Sequence, residues 1–199
     1  MSIRQDGTTF LGDNAANALK GNNGSNYLFG QGGNDTILGR GGIDWIDGGK
    51  GNDAIDGGAG GDLIDGGRGL DVLSGGAGND FLSGGKGTDS LTGGRGKDFF
   101  VFDAKPGPAH ADVVTDFSVK DDTILLARSV FAKVAKTGVL AAKAFVVGDH
   151  ALDRHDRILY DPATGSLSYD PDGSGARPAV AFAQLSPSLA LTHKDFLIF

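Results

Sequence analysis

All 25 acidic residues of the chain are Asp, and the sequence contains neither Glu nor Cys. Eight of the Asp recur at intervals of nine: Asp35, Asp44, Asp53, Asp62, Asp71, Asp80, Asp89 and Asp98. Carboxylates without His or Cys among them make an all-oxygen donor set, which selects a hard cation. Flexible loops rich in carbonyls suit Ca²⁺ better than Mg²⁺. The same composition closes off other chemistry. An HExxH zinc protease and an EF-hand both need Glu. Without Cys there is no thiolate zinc site, iron–sulfur cluster, disulfide or thiol nucleophile. The four His (His110, His150, His155, His193) show no ligand spacing, and neither a GxSxG elbow nor a GxxxxGK[ST] loop occurs. Carboxylate pairs serve glycoside hydrolysis, but an Asp that holds Ca²⁺ neither gives nor takes a proton. No acid stands apart from the series, so no catalysis is expected from the chain itself. The formal net charge of −7 argues against a nucleic-acid partner. No apolar run reaches the ~18 residues of a membrane helix. The start, MSIRQDGTTFLGD, lacks the charged-then-apolar order of a cleavable secretory signal.

The elements that must position these Asp follow from the Gly. Of 35 Gly, 28 fall between residues 12 and 101, and from Gly12 that segment divides without gaps into ten nonapeptides. They run from GDNAANALK and GNNGSNYLF through units such as GGKGNDAID to GGRGKDFFV. Position 8 is always apolar: Leu19, Leu28, Ile37, Ile46, Ile55, Ile64, Leu73, Leu82, Leu91 and Phe100. Six turn-forming residues followed by three with one apolar centre read as a very short strand with one buried face. Two such strands face to face make a coil of 18 residues, and stacked coils make two parallel sheets. The Asp then form two rows, Asp35/Asp53/Asp71/Asp89 and Asp44/Asp62/Asp80/Asp98, with neighbours roughly 4.8 Å apart. Bare carboxylates at that spacing repel by roughly 3 kcal/mol per pair at an effective dielectric near 20. A cation between successive Asp removes the repulsion. Further ligands are expected from the backbone carbonyls of Gly48, Lys50, Gly57, Ala59, Gly66, Arg68, Gly75 and Ala77. Asp116, 18 residues beyond Asp98, is expected to finish the second row. One ion per neighbouring pair implies about six to ten Ca²⁺ in all. Asn17 and Asn26 replace Asp in the first two units; an Asn carbonyl supplies no charge, so binding there is expected to be weak or absent, the alternative being a hydrogen bond to its own turn.

The nonapeptide GGxGxDxUx is that of the calcium-binding RTX (repeats-in-toxin) proteins, which the chain resembles over residues 12 to 199. DVVTDF (Asp112 to Phe117) and the following DDTILL resemble the segment after the roll in the C-terminal domain of serralysin-type secreted proteins. There the resemblance implies that Asp112 and Asp116 help close the last calcium site. The ending Asp195-Phe196-Leu197-Ile198-Phe199 resembles the uncleaved signal of bacterial type I secretion. The implied fold is all-β: a right-handed parallel β-roll of two sheets, then a C-terminal antiparallel β-rich cap. The implied function is a secreted, extracellular module that folds on binding Ca²⁺ after export by type I machinery. Two alternatives stay open, an extracellular polysaccharide-binding or adhesion module, with acidic polysaccharide as a candidate partner, or the C-terminal part of a larger secreted hydrolase with an upstream catalytic domain.

The expected organisation is a lead-in at 1–11, the roll at 12–101 and the cap with its terminal signal at 102–199. In the cap, 113–117, 123–126, 157–161, 166–170 and 179–185 read as strands, 162–165 as a hairpin connection and 129–136 as a short helix. The loop carrying Asp170 and Asp172 reads as an Asx-type turn or half a calcium loop. Position 7 alternates by coil side. One face carries the large column Tyr27, Trp45, Leu63, Phe81 and Phe99, which residues beyond 101 are expected to cover at least in part, a partner domain, self-association or a stacked sugar being the other candidates. Position 3 gives a cationic column, Lys50, Arg68 and Lys86, read as charge compensation or as a track for an acidic polysaccharide.

Overall fold

The computed structural model describes residues 4–5, 8–107, 110–134 and 136–199. Its strands lie in two ten-stranded sheets, joined by the nonapeptide turns. Within each sheet the repeat strands pair in parallel, 18 residues apart. Phe81 lies opposite both Leu63 and Phe99, and Val72 opposite both Ala54 and Ser90. The sheet that carries Trp45–Asp47, Leu63–Asp65 and Phe81–Ser83 has three-residue strands. In the opposite sheet the strands reach six residues, as in Ala54–Ala59 and Val72–Ala77, because pairing continues into the Gly of the next turn. All ten position-8 side chains are buried between the sheets.

Gly makes this spacing possible. Gly69 has φ of 152°, and a Cβ there would press on the Gly51 carbonyl of the coil before. Close stacking of one turn on another therefore excludes any larger residue. The register also extends beyond the ten units. Thr9–Leu11 pairs with Tyr27–Phe29, placing Phe10 opposite Leu28 in the core.

At the other end both sheets run across residue 101 without a break. Phe99–Phe102 pairs in parallel with Thr123–Leu126, which pairs with Phe196–Ile198. Gly138–Val139 closes that sheet as an antiparallel edge. In the other sheet Ser90–Arg95 is followed by Asp112–Val114 and then Val180–Gln184. The expected meander of Ile158–Tyr160, Ser166–Tyr169 and Val180–Gln184 is present and antiparallel. Its hairpin is closed by a hydrogen bond from the Gly165 N–H to the Asp161 carbonyl. Phe131, Tyr169, Phe182 and Phe102 pack edge to face beneath it.

In the fold, one expectation fails and another is met only in part. Residues 129–134 form isolated turns, not a helix. Val130 and Phe131 both donate to Ala127 and Val134 donates to Phe131, an arrangement that sets Phe131 and Val134 into the core; residue 135 lies outside the described residues. The cap covers the large column only at its end, where Leu125 and Phe199 stand beside it. Tyr27, Trp45, Leu63 and Phe81 stay 38 to 53% exposed, and only Phe99 is half-buried. The physical reason is the open end of the roll, which presents two rows of unpaired N–H and C=O groups beside an uncovered core. Stacking further strands onto that end satisfies both, so the cap lengthens the sheets and leaves their faces free.

Candidate metal centre

Each repeat Asp closes a turn that enters a strand, and its side chain turns inward along the stack. Asp71 Oδ1 accepts the backbone N–H of Asp53, 18 residues earlier, at 2.8 Å, and Asp89 Oδ1 accepts that of Asp71 at 2.8 Å. The same bond links Asn17 to Asp35, Asn26 to Asp44, Asp35 to Asp53, Asp44 to Asp62, Asp62 to Asp80 and Asp80 to Asp98. One oxygen of every carboxylate thus ties two coils together. The other, Oδ2, is buried in all eight and has no hydrogen-bond partner among the described residues.

A buried carboxylate with a bare oxygen is unfavourable as the anion. Burial accordingly pushes the Asp35, Asp62 and Asp80 carboxyls up to about 6 and Asp71 to about 7, with the neighbouring Asp adding to the rise. Asp44, Asp53, Asp89 and Asp98 are raised by burial as well.

The bare oxygens face a repeated space. A Cβ on Gly66 would stand 2.7 Å from Asp71 Oδ2 and 2.9 Å from the Gly84 carbonyl oxygen. On Gly57 it would stand 2.6 Å from Asp62 Oδ2 and 2.8 Å from the Gly75 carbonyl oxygen. Gly30, Gly39, Gly48 and Gly75 repeat the arrangement with Asp35, Asp44, Asp53 and Asp80. Only Gly leaves this oxygen-lined cradle open. Carboxylate and carbonyl oxygens from two successive coils, one of them lacking any donor, fit a hard divalent cation. Among the described residues no three acidic or His side chains converge, so backbone carbonyls must complete any donor set.

The carbonyls divide. Those of Gly48, Gly57, Gly66 and Gly75 line cradles. The third-position residues sit in the ladder between coils: Arg68 and Ala77 accept from the Gly51 and Gly60 N–H groups at 2.8 Å, and Lys50 and Ala59 stand in register with Gly32 and Gly41. At the C-terminal end Asp112 Oδ1 accepts the Asp89 N–H at 3.0 Å, continuing the first row, and burial pushes its carboxyl up to about 8. The second row continues to Asp122, which accepts the Asp98 N–H at 3.0 Å. Asp116 stands beside the row and takes the Gly93 and Gly94 N–H groups at 2.9 and 2.8 Å. Sequence reasoning missed Asp122 because the register lengthens from 18 to 24 residues here. The available signal was the second apolar run, Thr123 to Leu126, set immediately behind an Asp.

Asn17 and Asn26 hydrogen-bond their own turns, taking the Asp13 and Asn22 N–H groups at 2.7 Å. Asp170 does the same, accepting from Asp172 and Gly173 at 3.0 and 2.8 Å. Lys50, Arg68 and Lys86 stand in register along a groove of about 510 Å³ that also carries Asp47, Asp65 and Asp103. Beside it Trp45, Leu63, Phe81, Leu125 and Phe199 line an apolar groove of about 500 Å³. Asp195 ends a short 3₁₀ turn capped by Thr192; Phe196 and Ile198 are buried, Leu197 is half-buried and Phe199 exposed.

A family model for the RTX calcium-binding nonapeptide repeat, in four copies, matches residues 11–45, 38–73 and 65–100. Similar solved structures include the AlgE6R3 subunit of the Azotobacter vinelandii mannuronan C5-epimerase, 20% identical with a TM-score of 0.37, covering 99% of this chain and 84% of that one. The extracellular lipase LipA from Serratia marcescens is 14% identical with a TM-score of 0.37, covering 98% of this chain and 41% of the lipase. No curated protein matches the sequence. Residues 11–100 thus carry repeats that match the RTX calcium-binding nonapeptide, and the parallel roll and oxygen cradles of that segment are what such repeats require.

Proposed function

We propose that the chain is a calcium-driven folding module of a secreted bacterial protein, exported through type I machinery and without catalysis of its own. The observation that carries this reading is the set of eight buried Oδ2 atoms without a donor, stacked in two rows. Asp35, Asp53, Asp71 and Asp89 would hold ions in one row and Asp44, Asp62, Asp80 and Asp98 in the other, with the first-position Gly carbonyls. Bound Ca²⁺ supplies the positive charge that makes the ionised, buried rows tolerable. Where free Ca²⁺ is scarce, mutual repulsion among the Asp keeps residues 12–101 unfolded and able to thread an export channel. Where it is millimolar, binding free energy becomes folding free energy. The ending Asp195 to Phe199 serves as the export signal in this reading, and residues 102–199 as the cap that completes the roll. The test is a circular dichroism titration of the full chain: a β signature should appear on adding Ca²⁺ and vanish with chelator. A signature unchanged by exhaustive chelation at neutral pH sinks the reading.

A second reading, a surface for acidic polysaccharide, is favoured by the exposed column from Tyr27 to Phe81 lying next to Lys50, Arg68 and Lys86. Retarded migration of the calcium-loaded chain in a polyuronate gel, abolished by Lys50→Ala/Arg68→Ala/Lys86→Ala, supports it; unchanged migration removes it.

A further inference from the structure

We propose that the apolar strip on the short-strand sheet is where two copies of the chain pair, each setting a ridge into the groove of the other. The proposal goes beyond the calcium reading and needs only the folded roll.

Five large side chains stand out from this face and stay 38 to 54% exposed: Tyr27, Trp45, Leu63, Phe81 and Phe199. The parallel register sets the first four on successive strands, so they form one continuous strip. A soluble chain rarely leaves such a strip uncovered. Its relief is uneven. Trp45 and Phe199 are the most exposed of the five and stand on strands at opposite ends of the groove of about 500 Å³, with Leu63 and Phe81 between them. The surface is therefore self-complementary: a two-fold turn sets the Trp45 ridge of each copy into the groove of the other, an isologous contact. At about 100 Å² each, half of what such a side chain can bury, the five contribute about 500 Å² per copy and about 1,000 Å² in a pair, before any rim is counted. That is the lower bound for a specific interface, so the pairing is weak and depends on concentration.

The chemistry of the strip and its rim favours a like partner. Of the residues lining the groove only Asp65 and Ser83 are polar, too few to orient a hydroxyl-rich ligand, which the cationic groove alongside serves better. Phe81 and Phe99 stack on each other, with centroids 4.4 Å apart and 13° between their planes, so their faces are taken and their edges point outward. The rim carries three charges of each sign, Lys50, Arg68 and Lys86 beside Asp47, Asp65 and Asp103. Among the described residues none of these cations forms an ion pair. A surface with equal numbers of unpaired charges finds its complement in the same surface turned round, whereas a uniformly charged partner meets three of the wrong sign.

Sedimentation velocity of the full chain in saturating Ca²⁺ tests this. A species of twice the 20.3 kDa chain mass should grow with concentration. Trp45→Lys or Leu63→Lys, each placing a charge in the strip, should move the monomer–dimer midpoint to higher concentration by about tenfold or more. Val72→Lys, on the opposite sheet at 58% exposure, should leave it where it is. All three sites face solvent, and circular dichroism in Ca²⁺ verifies that each variant is folded. Below the midpoint Trp45 stays open to water; above it, iodide quenching of its emission should fall. A chain still monomeric at millimolar concentration overturns the proposal, as does a dimer that folded Trp45→Lys leaves intact or that Val72→Lys weakens equally. A monomer whose Trp45 becomes protected only on adding polyuronate also overturns it and assigns the strip to a sugar.

Discussion

Gly66 is required by the cradle and not by its own backbone. Its φ lies outside the left-handed region, so a side chain is sterically possible for the backbone, yet a Cβ would intrude between Asp71 Oδ2 and the Gly84 carbonyl. Gly66→Ala should therefore fold in Ca²⁺ but bind one ion fewer, which ion counting by native mass spectrometry checks. Asp71→Ala should be more damaging than Asp35→Ala. Each change strands one buried N–H, that of Asp53 or of Asn17, at about 1–3 kcal/mol, but Asp71 has an Asp on each side in its row, whereas Asp35 has Asn17 on one. Calcium titrations of the two variants should show the larger rightward shift for Asp71→Ala. The row also titrates. Burial holds Asp71 near 7 and Asp35, Asp62 and Asp80 near 6 in the metal-free fold, above the ordinary 3.8. Raised folded-state values mean that the fold binds more protons than the unfolded chain. The metal-free roll is thus most stable below about pH 4 and loses stability as pH rises towards about 7. In chelator, a dichroism scan should show β structure gained on acidification from pH 7; with Ca²⁺ present the signal should be flat over that interval.

Among the elements, what the sequence makes legible is whatever repeats. The position-8 residues from Leu19 to Phe100 mark every core strand, and the 18-residue pairing of Leu63 with Phe81 follows from counting alone. Beyond Phe102 nothing repeats, and pairing is decided by which apolar segment fits an open sheet end. Thr123 to Leu126 alternates half-buried and buried side chains and so reads as a strand, but its partner Phe196–Ile198 lies about seventy residues away and no local pattern announces it. The large column failed as a guide to the cap for a related reason. Size at position 7 reports which sheet a strand belongs to, while coverage depends on the end of the stack, where N–H and C=O groups need partners. Trp45, at 53% exposure, makes this measurable. With Ca²⁺ bound it should emit as a water-exposed indole and be readily quenched by iodide; a blue-shifted, protected emission would contradict the arrangement.

On the scale of the whole molecule, the coils form a nearly one-dimensional stack in which each interface contains two carboxylate-to-backbone bonds, one on each side, such as Asp53 to Asp71 and Asp62 to Asp80. A coil that is ordered presents a finished half-site to its neighbour, so ion uptake by successive coils should be cooperative. The dichroism titration should rise more steeply than a single-site isotherm, and a hyperbolic curve would show that the coils bind independently. The strand Phe196–Ile198 adds a constraint of a different kind. It lies between Thr123–Leu126 and Gly138–Val139, with Phe196 and Ile198 fully enclosed. During synthesis, residues up to 139 appear first and wait beside an empty lane that a much later segment must fill. Assembly can therefore proceed in coil order only as far as that lane, and the final step runs backwards, from residue 198 into a place prepared some seventy residues earlier.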